Sequence, residues 1–260
     1  MDASLQRLIP SDTLQLAGIR LDLIRQTQLY KKYGPSAVPM LESFSRGISL
    51  DASKDIDEML AASNGKDVLT LMRGRFSSPE FKKNLERLEG QATLLDDKTL
   101  ALGTPALVTW AKTGKGGGVP KSLLKLMQEI PTSQQIWALN NGGALPIALP
   151  SEGNAANLER IFATLSSVVM WGDLSRGVKL GAVGHGRDEA GARQIEGALR
   201  AGVGLGRLSA GTDQKELLSA FDMIKITRTT TTVNLSTDLA MDQIEALRLA
   251  LNRLSPGVRP

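Results

Sequence analysis

Cysteine is absent from this 260-residue chain, which excludes disulfides, thiolate metal ligands and a cysteine nucleophile. Histidine occurs once, at His185, so a zinc site built from several imidazoles is excluded as well. Aromatic residues make up 4%; the core must rest on Leu, Ile, Val, Ala and Met, and the stacking platform of a single-strand nucleic-acid binder is missing. No run approaches the roughly 18 apolar residues of a membrane helix, and the opening MDASLQRLIPSD lacks the basic-then-apolar pattern of a signal peptide. A soluble chain without a membrane span is expected. Met1-Asp2 equally suits a start placed after a removed signal or anchor.

The net charge is +4 and 42% of residues are hydrophobic, enough for a sizeable core in one large or two smaller domains. The charge is diffuse. Up to Ile130 there are 18 basic and 15 acidic residues, and 13 and 12 thereafter, so the excess divides as +3 and +1. A nucleic-acid binder needs neighbouring cations to neutralise neighbouring phosphates, and no such cluster is present.

Alternation over Thr13 to Leu21 predicts a first strand, followed by a helix capped by Asp22 and running to Tyr33. Val38 to Phe44 predicts a short helix. Asn64-Gly65 between two apolar runs predicts a hairpin of Asp57–Ser63 and Val68–Phe76. Ser77-Ser78-Pro79-Glu80 is a helix start, with a serine cap, proline in the first turn and an acid suited to the dipole. A second hairpin is expected around Asp96-Asp97-Lys98, then helices from Pro105 and Ser122 with the glycine-rich loop Thr113 to Pro120 between them.

From Gln135 the same order recurs: a strand, a helix carrying Leu158, Ile161, Phe162 and Leu165, a hairpin of Val168–Trp171 and Val178–Val183, a helix capped by Asp188, a hairpin of Met223–Thr227 and Thr232–Ser236, and a last helix from Asp242. The chain therefore reads as α+β, two β-α-β-β-α-β-β-α halves over 1–131 and 132–260, with ferredoxin-like antiparallel sheets and helices on one face.

Leu8-Ile9-Pro10-Ser11-Asp12-Thr13, Asp55-Ile56 before a hairpin, Asp97-Lys98-Thr99-Leu100 followed by Gly103, and the central Ile136-Trp137-Ala138 together resemble a loose group of bacterial duplicated α+β proteins, often exported or membrane-anchored. The resemblance spans most of the chain and implies no activity and no site residue. It implies the periplasm or cell envelope if a signal preceded the chain, and the cytoplasm otherwise.

Each catalytic template fails at a nameable residue. His185 lies between glycines at a strand-to-helix junction, yet no G-x-S-x-G elbow accompanies it. In G-x-G-x-x-G phase, Gly184 and Gly186 are followed by Glu189 where the third glycine belongs. Gly202, Gly204 and Gly206 also fail, and the expected role of the glycines after Asp188 is close packing or a helix that frays beyond Gly202. Pro120 stands before Lys121-Ser122 where a phosphate loop needs glycine. Ile56 and Ala62 break the calcium-loop pattern of Asp51, Asp55 and Asp57.

What recurs is cationic. Arg73 and Arg75 precede the helix from Pro79, Arg187 precedes the helix capped by Asp188, and helix N-termini attract anions. The expected function is a non-catalytic binding or structural module with a protein partner, no cofactor and no metal. The alternative is a small-ligand or anion binder, or an enzyme, with Arg73, Arg75, His185 and Arg187 converging on a cleft between the halves.

Overall fold

The computed structural model describes residues 2–34, 50–88, 90–113, 117–132, 134–142, 164–211 and 214–254. The expected helix at Val38–Phe44 lies outside them, as do Leu158, Ile161 and Phe162 of the other expected helix, whose Leu165 instead opens a strand. Mixed α+β architecture is as expected. The chain divides into two compact units, Met1–Leu139 and Asn140–Pro260, with the division inside a strand rather than after residue 131.

Unit 1 begins with α1 (Ala3–Gln6), capped by Asp2, whose Oδ1 accepts from the Ser4 N–H at 2.7 Å. Strand β1 (Gln15–Arg20) follows, then two short helices, α2 (Leu21–Ile24) and α3 (Gln28–Tyr33). The single helix expected from Asp22 to Tyr33 is thus broken. Thr27 starts a new cap, its Oγ1 accepting from the Tyr30 N–H at 3.1 Å, and Asp22 pairs with Arg20 at 2.7 Å instead of capping.

Helix α4 (Ala52–Asp55) leads into the hairpin β2 (Ile56–Ser63) and β3 (Val68–Gly74). Asn64 Oδ1 accepts from the Lys66 and Asp67 N–H groups at 3.0 and 2.8 Å, and Gly65 takes a φ of 90°, the left-handed conformation that favours glycine in a tight turn. Helix α5 (Pro79–Glu86) starts at the Ser78 cap as expected. Strands β4 (Ala92–Asp96) and β5 (Thr99–Gly103), helices α6 (Pro105–Thr113) and α7 (Lys121–Met127), and β6 (Ile136–Asn140) complete the run.

The sheet order in unit 1 is β4-β5-β3-β2-β1-β6. The pairings β1/β2, β2/β3, β3/β5 and β4/β5 are antiparallel. This narrows the expected ferredoxin-like arrangement. A split β-α-β unit sets its two strands apart and parallel, whereas β2 lies directly beside β1 and runs the opposite way.

In unit 2, β7 (Leu165–Asp173) and β8 (Gly177–Gly186) form a hairpin. Helices α8 (Glu189–Ser209) and α9 (Lys215–Asp222), strands β9 (Lys225–Arg228) and β10 (Thr232–Ala240), and α10 (Met241–Leu254) follow. The order is β7-β8-β10-β9, antiparallel throughout. Helix α8 buries Ala192 and Ile195 against Leu165, Val168, Ile226 and Val233, the face expected from its apolar period.

Two expectations change here. Helix α8 does not fray at Gly202 but runs 21 residues to Ser209. Close packing accounts for Gly206, where an added Cβ would meet the Phe221 ring at 2.6 Å; nothing lies within 4 Å of one at Gly197, Gly202 or Gly204. Helix α9 was not anticipated, although Leu217, Leu218 and Phe221 carry a helical period.

Candidate functional site

The polar side chains of unit 1 gather where the β2–β3 hairpin opens. Register places Arg20 opposite Glu58, Glu58 opposite Arg73, and Arg73 and Asp96 each opposite Thr99. Directly opposed residues of a sheet share a face, so a row of alternating charge crosses β1, β2, β3, β5 and β4.

Arg73 is the hub of that row. Its Nε donates to Asp2 Oδ2 at 3.2 Å, and its Nη1 donates to Thr99 Oγ1 and to Asp96 Oδ2 at 3.5 Å. Its Nη2 donates to Ser4 Oγ. Donation from Ser4 holds the Asp2 carboxyl below its ordinary value, against a smaller opposing effect of burial, with Arg73 adding to the depression. Burial works to raise Asp96, but donation from Thr99 and Lys98 with the charge of Arg73 outweighs it, and the net shift is downward. A guanidinium engaged on this many sides ties strands and the N-terminal helix together and offers little to an incoming anion.

Unit 2 carries the same corner with different side chains. A bulge separates Ile56↔Gly74 from Glu58↔Arg73 in unit 1, and another separates Leu165↔Gly186 from Ser167↔His185 in unit 2. Arg73 faces Thr99, and His185 faces Thr232. The Gly74 N–H donates to Lys98 O at 3.0 Å, and that of Gly186 to Thr231 O at 2.7 Å. The Arg75 N–H donates to Asp55 O at 2.7 Å, and that of Arg187 to Thr164 O at 3.0 Å. His185 therefore stands where Arg73 stands, and Arg187 where Arg75 stands.

The four site residues expected from sequence are two equivalent pairs, one in each unit. His185 lies within β8 rather than in a loop beyond it; its Nδ1 is 3.4 Å from Thr232 Oγ1, and its carbonyl accepts from Ser166 Oγ at 3.0 Å. Arg75 donates to the Lys54 carbonyl. The Arg187 side chain is exposed. Asp188 caps α8 as expected, Oδ1 accepting from the Gly191 N–H at 2.7 Å, so a carboxylate already occupies the place an anion would take at that helix end.

Unit 2 also carries features that motif reasoning missed. Leu205 and Leu208 on α8 are 58% and 84% exposed, and Leu249 and Leu251 on α10 are 59% and 48% exposed. Helix α9, which packs against both of these helices, buries no residue. A cavity of about 210 Å³ opens between α9, α10 and the end of β10. Among the described residues, no group of three or more His, Asp or Glu side chains could hold a metal ion, and no helix is long and apolar enough to cross a membrane.

No family model matches the chain, and no curated protein matches it. Two solved structures do. Crystal form III of TP0453 is 9% identical with a TM-score of 0.52, and crystal form I is 10% identical with a TM-score of 0.45. Each alignment covers 95% of this chain and 96% of the other. The likeness to form III is one of fold.

Proposed function

We propose that this protein is a non-catalytic binding module, made of two copies of one β-α-β-β-α-β-β-α unit, that holds a protein partner on the helices of unit 2. The observation that carries the reading is the exposure of Leu205, Leu208, Leu249 and Leu251 on the two helices that flank α9. Leu205 and Leu208, three residues apart, share one face of α8, and large apolar side chains grouped on a surface mark interaction sites. The matched bulges, glycines and threonines of the two hairpin corners support the duplication. The cell-envelope location implied by the sequence resemblance belongs to the same proposal.

The alternative, an anion or small-ligand binder, is favoured by one observation. Arg75 and Arg187 sit at equivalent helix entrances, each backbone-anchored to the residue that precedes its hairpin. A photo-crosslinking residue placed in turn at positions 208, 249 and 97 of the full chain separates the readings. Discrete protein adducts at 208 and 249 but not at 97 are expected. Absence of adducts at both leucine positions, together with a melting temperature raised by phosphate or sulfate, overturns the first reading in favour of the second.

A further inference from the structure

The apolar lining of the cavity in unit 2 is Ala220 on α9, Leu239 at the end of β10 and Ala246 on α10. Its polar lining is Lys215, Glu216, Ser219 and Gln243. Elsewhere on these helices charged groups are matched: Arg207 pairs with Asp222, and Glu196 takes Arg200 and Arg228. Among the described residues, Lys215, Glu216 and the Ser219 hydroxyl have no such partner, and Glu216 is half-buried. Gln243 Oε1 accepts from the Ala240 N–H at 2.9 Å, which leaves its amide NH2 as a donor.

Glu216 lies in the first turn of α9, where the helix dipole favours a carboxylate, and no cation of the described chain pairs with it, so it stands ready to receive one from a ligand. The cavity thus combines an unpaired carboxylate, the exposed Lys215 ammonium and Ser219 hydroxyl at its rim, an amide donor and apolar lining. A simple anion meets Glu216, a simple cation meets Lys215, and a neutral polyol leaves both charges unmatched. A zwitterion with a hydrocarbon tail satisfies all of them. At about 210 Å³ the space lies below the roughly 300–1,000 Å³ of sites for drug-sized ligands, so the ligand is small.

We propose that this cavity binds a free α-amino acid with an aliphatic side chain. The ammonium pairs with Glu216, the carboxylate pairs with Lys215 and receives the Gln243 amide, and the side chain rests on Ala220, Leu239 and Ala246. The site is separate from the exposed leucines, and its fate does not depend on whether they hold a protein.

The test is titration of the full chain with L-leucine, leucinamide and 4-methylvalerate, followed by amide chemical shifts. Saturable shifts confined to residues 215–220 and 239–246 are expected with leucine. Leucinamide, lacking the carboxylate, and 4-methylvalerate, lacking the ammonium, should bind at least tenfold more weakly. Glu216→Gln should weaken leucine at least tenfold while its amide spectrum keeps the dispersion of the folded chain, and Ala246→Trp should abolish binding by filling the cavity. If Ala246→Trp fails to fold, Glu216→Gln decides alone. No saturation by ~10 mM leucine, a millimolar affinity being the weakest useful one, overturns the proposal, as does equal binding by Glu216→Gln.

Discussion

Arg73 and His185 hold the same register position in their respective units. Each stands one residue before the glycine that ends its strand, and each faces a threonine that opens the neighbouring strand, Thr99 or Thr232. The shared position carries unequal loads. Arg73 bonds to Asp2, Ser4, Asp96 and Thr99, and its loss leaves two carboxylates without their cation. Arg73→Met should destabilise unit 1 by about 2 kcal/mol, the range for charge-assisted bonds in a partly buried setting. Removal of the contact between His185 and Thr232 should cost about 1 kcal/mol or less. Amide hydrogen exchange on β3 and β8 reads each unit separately; equal losses at the two positions would contradict the assignment of Arg73 as the hub.

Acid should loosen the same corner. Asp2 and Asp96 are both held below 3.8 in the folded chain, so near that pH the unfolded chain binds more protons than the folded one. The stability they contribute is complete well above the unfolded value and is lost as pH falls through the lower folded values. Unit 1 protection measured from pH 6 to pH 2 should decline below about pH 4, and Arg73→Met should flatten that decline. An unchanged acid limb in the variant would separate the depression from Arg73.

Trp171 covers Gly181 so closely that an added Cβ would lie 2.2 Å from its Cζ2. The two residues are directly paired across β7 and β8. Gly181→Ala should therefore cost about 2 kcal/mol by overpacking, and far less when Trp171 is already alanine. A double-mutant cycle measures the coupling; additive effects would mean that the indole moves aside freely.

The glycines of α8 should respond with opposite signs. Gly197, Gly202 and Gly204 have open space where a Cβ would go, and alanine at each should stabilise by about 0.5–1 kcal/mol through helix propensity. Gly206→Ala meets the Phe221 ring and should destabilise. Melting temperatures of the four variants give the comparison; a uniform gain would show that α8 and α9 are not packed together at Gly206.

Much of this was legible in the residues themselves, because the signals are local. Asn64-Gly65 marks its turn, Ser78-Pro79 and Asp188 mark helix starts, and alternation marks the strands, since each depends on backbone geometry within a few positions. The recurrence of Arg73 and Arg75 with Arg187 ahead of a helix is legible too, but not that His185 holds the register position of Arg73. What only the tertiary structure decided depends on residues far apart in the chain. Strand order is one case: pairing β1 with β2 rather than splitting them is a choice between sheets that satisfy the same alternation. The commitment of Arg73 to Asp2, 71 positions away, is another. The cavity of α9 and α10, with Glu216 left without a cation beside Leu239, is a third, because a concave site exists only once three separate elements have packed around it.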